Sequence, residues 1–131
     1  WIAHATPVEL ARESDVLAVC VAANAATAGI VNADVLAALG SRGYLVNVAR
    51  GSVVDEDALL VALNEGTIAG AGLDVFVNEP TIRGDFLSAP KTVLMPRQGS
   101  ATVETRVAMG ELVLTNLAAY FSGESPPTKV N

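Results

Sequence analysis

Histidine and cysteine are nearly missing from this chain: one of each, His4 and Cys20, stands among 131 residues. A lone cysteine closes no internal disulfide, and without paired Cys and His ligands at fixed spacings no zinc-type site is expected. Charge is sparse too, at 17% of residues, and leans acidic, with a formal net of −6. That balance argues against a partner gripped through its phosphate backbone, so no nucleic acid is expected. Apolar runs of about 18 residues, the length a spanning helix needs, are also absent, because Asp, Glu, Asn, Arg or Gly breaks each one. No membrane span is expected. No stretch joins a charged start, an apolar middle and a small-residue cleavage site, so the expected compartment is the cytoplasm. An initiator Met is missing as well: Trp1-Ile2-Ala3 opens on apolar residues, and the chain reads as starting in mid-structure.

What is present is apolar, 51% of residues, in a chain the size of one domain that buries roughly two thirds of its unfolded surface. Thr6, Pro7 and Glu9 form a capping-box pattern that predicts a short helix to about Glu13. Residues 15–21 are an almost continuous apolar run, which reads as a strand covered on both faces. Asn32 predicts a cap for a helix over 33–39, ended by Gly40 or Gly43, and residues 44–48 follow as another buried strand. Asp55 caps 56–64, where Leu59, Leu60 and Leu63 share one face before Gly66, and a strand over 68–75 comes next. Residues 76–91 read as an irregular loop crossing the top of the sheet, 92–95 as a short strand, and Ser100 or Thr102 opens a long helix stopped by Gly123. Alternating strands and helices predict an α/β fold: a parallel sheet with helices on both faces, half of a doubly wound (Rossmann-type) domain.

In such sheets ligands bind beyond the carboxyl ends of the strands. Residues 20–22, 47–51, 74–80 and 96–100 sit there, and they bring Arg50, Asp74, Glu79 and Arg97 to one edge. Arg50 has the planar fork that holds a carboxylate with two hydrogen bonds, or it is a surface ion-pair member. Glu79 orients a catalytic imidazole, serves as an acid, or is a solvated loop carboxylate. Asp74 ends the small-residue strand Ala69-Gly70-Ala71-Gly72-Leu73 and either accepts from a carboxamide or caps the strand end. His4 is remote from all of them and reads as a surface or cut-edge residue. Gly70-Ala71-Gly72 continues into Leu73-Asp74-Val75, so it is a strand interior and not a phosphate-binding glycine loop.

Leu45-Val46-Asn47-Val48-Ala49-Arg50-Gly51-Ser52-Val53-Val54-Asp55, followed by Gly70-Ala71-Gly72-Leu73-Asp74-Val75-Phe76 and Glu79-Pro80, resembles the D-isomer-specific 2-hydroxyacid dehydrogenases. A third block, PRQGSATVETR from Pro96 to Arg106, is similar to their glyoxylate and hydroxypyruvate reductase branch. The resemblance covers essentially the whole chain. It implies that residues 1–131 are the C-terminal part of a dinucleotide-binding domain whose glycine-rich loop and substrate domain lie elsewhere. It also implies NAD or NADP as cofactor and a small 2-oxo or 2-hydroxy acid as substrate. Arg50 takes the part of the substrate-binding arginine and Glu79 that of the acid holding the catalytic histidine. Cys20, Val21, Ala22 and Thr27 then lie beside the adenosine portion. Val48, Ala49 and Arg50 pass the nicotinamide ribose, and Asp74, Arg97 and Gly99 complete the cofactor side.

One departure is chemical. Where the family has Pro-His, with the histidine donating a proton to the carbonyl, this chain has Pro96-Arg97. With a pKa above about 12, arginine stabilises an oxyanion but exchanges no proton near neutral pH. This chain alone is therefore expected to be inactive. A self-contained flavodoxin-like binding module and a cofactor-sensing pseudoenzyme remain open alternatives, and self-association is one way to cover an exposed sheet edge.

Overall fold

A computed structural model describes residues 2–130; the sequence features at Trp1 lie outside them. The chain divides into two compact units, Trp1–Arg97 and Gln98–Asn131.

In the first unit, α1 (Pro7–Arg12) starts as its capping residues dictate. Thr6 Oγ1 accepts from the Glu9 amide at 3.2 Å while Glu9 Oε2 accepts from the Thr6 amide at 3.2 Å. Four parallel strands follow: β1 (Val16–Val19), β2 (Tyr44–Asn47), β3 (Gly70–Leu73) and β4 (Thr92–Leu94), side by side in chain order. Between them run α2 (Ala33–Leu39), capped by Asn32, α3 (Glu56–Glu65), capped by Asp55 and closed by left-handed Gly66, and α4 (Gly84–Ser88). Leu17, Leu45, Ala71 and Leu73 turn toward one core with Val35, Leu36, Leu59, Leu60 and Leu63. Each fully buried aliphatic side chain there contributes roughly 1.5–3 kcal/mol.

The parallel α/β fold class is the one the alternation predicts. Burial of β1 on both faces is not: Leu17 and Val19 are buried, but Val16 is 55% exposed and Ala18 is exposed. An edge strand with one packed face can carry apolar residues on both, so an apolar run alone does not prove two-sided cover. Tyr44 at the start of β2 is exposed in the same way. The strands are also shorter than the apolar runs, four residues at β3 where 68–75 is predicted.

Residues 76–91 are not wholly irregular. They contain α4, whose Phe86 is buried and meets Phe76 edge to face at 5.9 Å between ring centroids. Arg83 joins Asp57 at the start of α3 to Asp85 (3.0 Å to the latter), which ties this segment to the helix before it. His4 is also not a surface residue: its side chain is only 14% exposed and its Nε2 lies 3.8 Å from Glu13.

The second unit is α5 (Val103–Phe121), capped by Thr102, the second of the two expected starts, with Gly123 at a positive φ just beyond it. Its tail folds back, Asn116 exchanging hydrogen bonds with Thr128 at 2.7 and 3.2 Å. The apolar positions Val107, Leu112, Leu114, Leu117 and Tyr120 keep helical register but are all exposed.

Candidate functional site at the carboxyl edge of the sheet

The four strands end level with one another. Val19, Asn47, Leu73 and Leu94 are register partners across the sheet. The ladder continues one step: the Val48 amide donates to Val19 O (3.2 Å), Asp74 to Asn47 O (3.0 Å) and Met95 to Leu73 O (2.8 Å). Every loop with a candidate residue in this unit therefore leaves from one line.

The loops after β1 and β2 enclose a cavity of about 420 Å³ lined by Cys20, Val21, Ala22, Ala23, Val48, Ala49 and Arg50. Thr27 fastens its far wall, donating from Oγ1 to Ala22 O (2.8 Å) and accepting from the Asn24 amide (2.9 Å). Arg50 projects from a segment held by Asn47, whose Oδ1 accepts from the Ala49 amide and whose Nδ2 donates to Arg50 O, both at 3.0 Å. Its guanidinium donates to Ala49 O at 2.6 Å, and among the described residues it has no acidic partner, so it is not a surface ion-pair member. Gly51, next in line, packs backbone to backbone on β3's exit, where a Cβ would stand 2.0 Å from the Phe76 carbonyl carbon.

The loops after β3 and β4 form a second cavity of about 350 Å³, with Asp74, Glu79 and Arg97 among apolar neighbours including Phe76, Ile82, Leu94 and Met95. Glu79 is not a freely solvated carboxylate. Its Oε1 accepts from the Phe76 amide at 2.9 Å and its Oε2 from Arg97 Nη1 at 2.8 Å. The Phe76 bond is the main reason its carboxyl is held below the usual carboxylate range; partial burial opposes this, and the Arg97 hydrogen bond and the charges of Arg97 and Arg50 add to it. Arg50 is thus within electrostatic reach of Glu79. Arg97 itself adopts a φ of 58°, the left-handed region that costs a non-glycine residue about 1–2 kcal/mol.

The structure therefore brings Cys20, Val21, Ala22, Val48, Ala49 and Arg50 together in one cavity, with Thr27 bracing it, and Asp74, Glu79 and Arg97 in another. Gly99 belongs to the second unit. Sequence reasoning missed Asn47 and Glu56. The first is 1% exposed; the second accepts from the Val77 amide at 2.9 Å and so anchors the loop that carries Glu79. A polar residue closing an otherwise apolar strand was the available signal for Asn47; a bond spanning 21 residues leaves none for Glu56.

The family model for the D-isomer specific 2-hydroxyacid dehydrogenase NAD binding domain matches residues 2–99. The 2-ketogluconate reductase of Gluconobacter oxydans is 55% identical over 121 residues, covering 92% of this chain and 39% of that protein. Glyoxylate/hydroxypyruvate reductase A of Arabidopsis thaliana is 46% identical over 127 residues, covering 97% and 41%. Among solved structures, the NADPH-dependent glyoxylate/hydroxypyruvate reductase of Sinorhizobium meliloti with NADP and malonate superposes with a TM-score of 0.81 at 55% identity, over 91% of this chain and 37% of that one. The chain thus spans about two fifths of the length of the proteins it matches.

Proposed function

The chain belongs to the D-isomer specific 2-hydroxyacid dehydrogenase family, as part of its NAD-binding domain, and from that premise we propose that it supplies the cofactor side and the carboxylate anchor of a 2-oxo acid reductase whose proton delivery is disabled. The residues present suit NAD(P) between its adenosine portion and its nicotinamide ribose. Ala22, Ala23 and Ala49 leave a cavity walled by small side chains at the strand ends, and Arg50 stands on it with spare N–H donors. When bound, the reduced cofactor supplies a hydride. The protein's part is to hold the acid's carboxylate at Arg50, close to where that hydride arrives, and to give the carbonyl oxygen a proton.

That last part is what the chain lacks. By the resemblance, Arg97 takes the place of the family's proton-donating histidine and Glu79 that of the acid holding it; Arg97 Nη1 is 2.8 Å from Glu79 Oε2. This pairing is the observation that carries the proposal. A guanidinium still favours a developing oxyanion, but loss of the general acid removes about 10²- to 10⁴-fold in rate. The third block and the relatives named for glyoxylate and hydroxypyruvate support a C2–C3 acid; the relative named for 2-ketogluconate makes that acid the natural comparison in the assay.

The test is NAD(P)H oxidation with glyoxylate, hydroxypyruvate and 2-ketogluconate by the protein containing this segment, unaltered and with Arg97→His. A gain of about 10²-fold or more in kcat for the histidine variant is expected. Unaltered protein turning over within tenfold of the variant overturns the proposal. Self-association belongs to the same reading, supported by the exposed Val16 and Ala18 on the β1 edge.

A further inference from the structure

Asn47 is the one buried polar side chain among the described residues, 1% exposed at the core-facing end of β2. An amide in that position costs free energy unless both its ends are bonded. Here both ends bond to the same short stretch of backbone. Oδ1 accepts from the Ala49 amide and Nδ2 donates to Arg50 O, each at 3.0 Å, so one planar group brackets Ala49 and Arg50. Arg50 is held extended between those bonds, φ −146° and ψ 151°, and its guanidinium closes on Ala49 O. Gly51 then abuts the Phe76 backbone with no room for a Cβ, so the residue after Arg50 is closely packed as well.

We infer that Asn47 is a positioning residue: acting through the backbone of Ala49 and Arg50, it fixes where the Arg50 guanidinium meets a carboxylate. The inference rests on the reading of Arg50 as the carboxylate anchor. Asparagine suits the place because it carries donor and acceptor on one plane at this length. Aspartate offers acceptors only and would bury a charge. Leucine has a similar shape and bonds neither backbone group. Glutamine is a methylene too long for a packed core.

The experiment is an NMR titration of the labelled protein with oxamate, a 2-oxo acid isostere whose carbonyl is not reducible, for the unaltered protein, Arg50→Ala, Asn47→Ala and the double variant. Each single change is expected to raise Kd about tenfold or more, and the double variant to bind within about twofold of Arg50→Ala, because Asn47 acts only through Arg50. A merely structural asparagine would cost the same factor in both backgrounds. That additive result, or an unchanged Kd in Asn47→Ala, overturns the inference while leaving the anchor reading intact. An unchanged Kd in Arg50→Ala overturns the anchor reading and this inference with it. Should Asn47→Ala not fold, Asn47→Leu completes the same cycle: it keeps the shape, buries no charge, bonds neither the Ala49 amide nor Arg50 O, and is judged by the same criteria.

Discussion

Glu79 shows how one carboxylate can be spoken for on both oxygens. Its Oε1 takes a backbone amide and its Oε2 an arginine, and together these hold its carboxyl below the ordinary value of 4.5. A group whose folded pKa is depressed contributes stability that is full above the unfolded value and lost as pH falls through the folded one. The contribution from Glu79 is therefore expected to be constant at neutral and mildly acidic pH and to disappear only below about 4.5. Titration of the Glu79 side-chain carbon by NMR checks this. Arg97→Gln should move the midpoint only part of the way back, since the Phe76 amide is the larger cause; a full return would contradict that order. The same pairing gives Arg97 a local structural partner, so Arg97→His tests chemistry and loop order together, and the NMR midpoint separates them.

At the scale of elements, the first turn of α3 does more than begin a helix. Asp55 caps it by accepting from the Asp57 and Ala58 amides, Glu56 reaches the Val77 amide, and Asp57 reaches Arg83, so one turn organises the loop that carries Glu79. Two substitutions should separate capping from packing. Asp55→Ala is expected to cost about 1 kcal/mol. Phe86→Ala, which removes a buried ring and its edge-to-face contact with Phe76, is expected to cost about 3–5 kcal/mol. Urea unfolding of both variants reads the difference; equal losses would mean that α4 contributes little to the core. The caps at Thr6, Asn32, Asp55 and Thr102 were legible in the sequence because each needs only residues three or four positions away. The α4 helix was not, since five residues with no side-chain cap are held by Phe86 in a distant core.

For the molecule as a whole, β1 is one of the two edges of the sheet. A groove of about 490 Å³ lined by Ile2, His4, Leu17 and Val19 among others lies beside it. Unpaired edges with exposed apolar residues favour association. Sedimentation equilibrium is expected to give a mass above the 13.4 kDa of one chain, and Val16→Lys, which sets a charge on that edge, to lower it. A mass of one chain for both proteins would remove self-association from the reading. No helix among the described residues is long and apolar enough to cross a membrane.

Local periodicity and capping chemistry settle the starts of α1, α2, α3 and α5 and the parallel class of the sheet, all within reach of the sequence. The sequence also determined that position 97 has no group able to exchange a proton near neutral pH, which is a property of arginine wherever it sits. Which face of β1 is covered depends on what packs against it, and so is settled by the fold. Likewise, that Arg97 closes on Glu79, that the Arg50 guanidinium closes on Ala49 O, and that Asn47 grips the backbone on both sides of Ala49 and Arg50 are matters of where the strand ends and loops meet. Register across a parallel sheet sets those meetings, and register joins residues too far apart in the chain for any local pattern to fix.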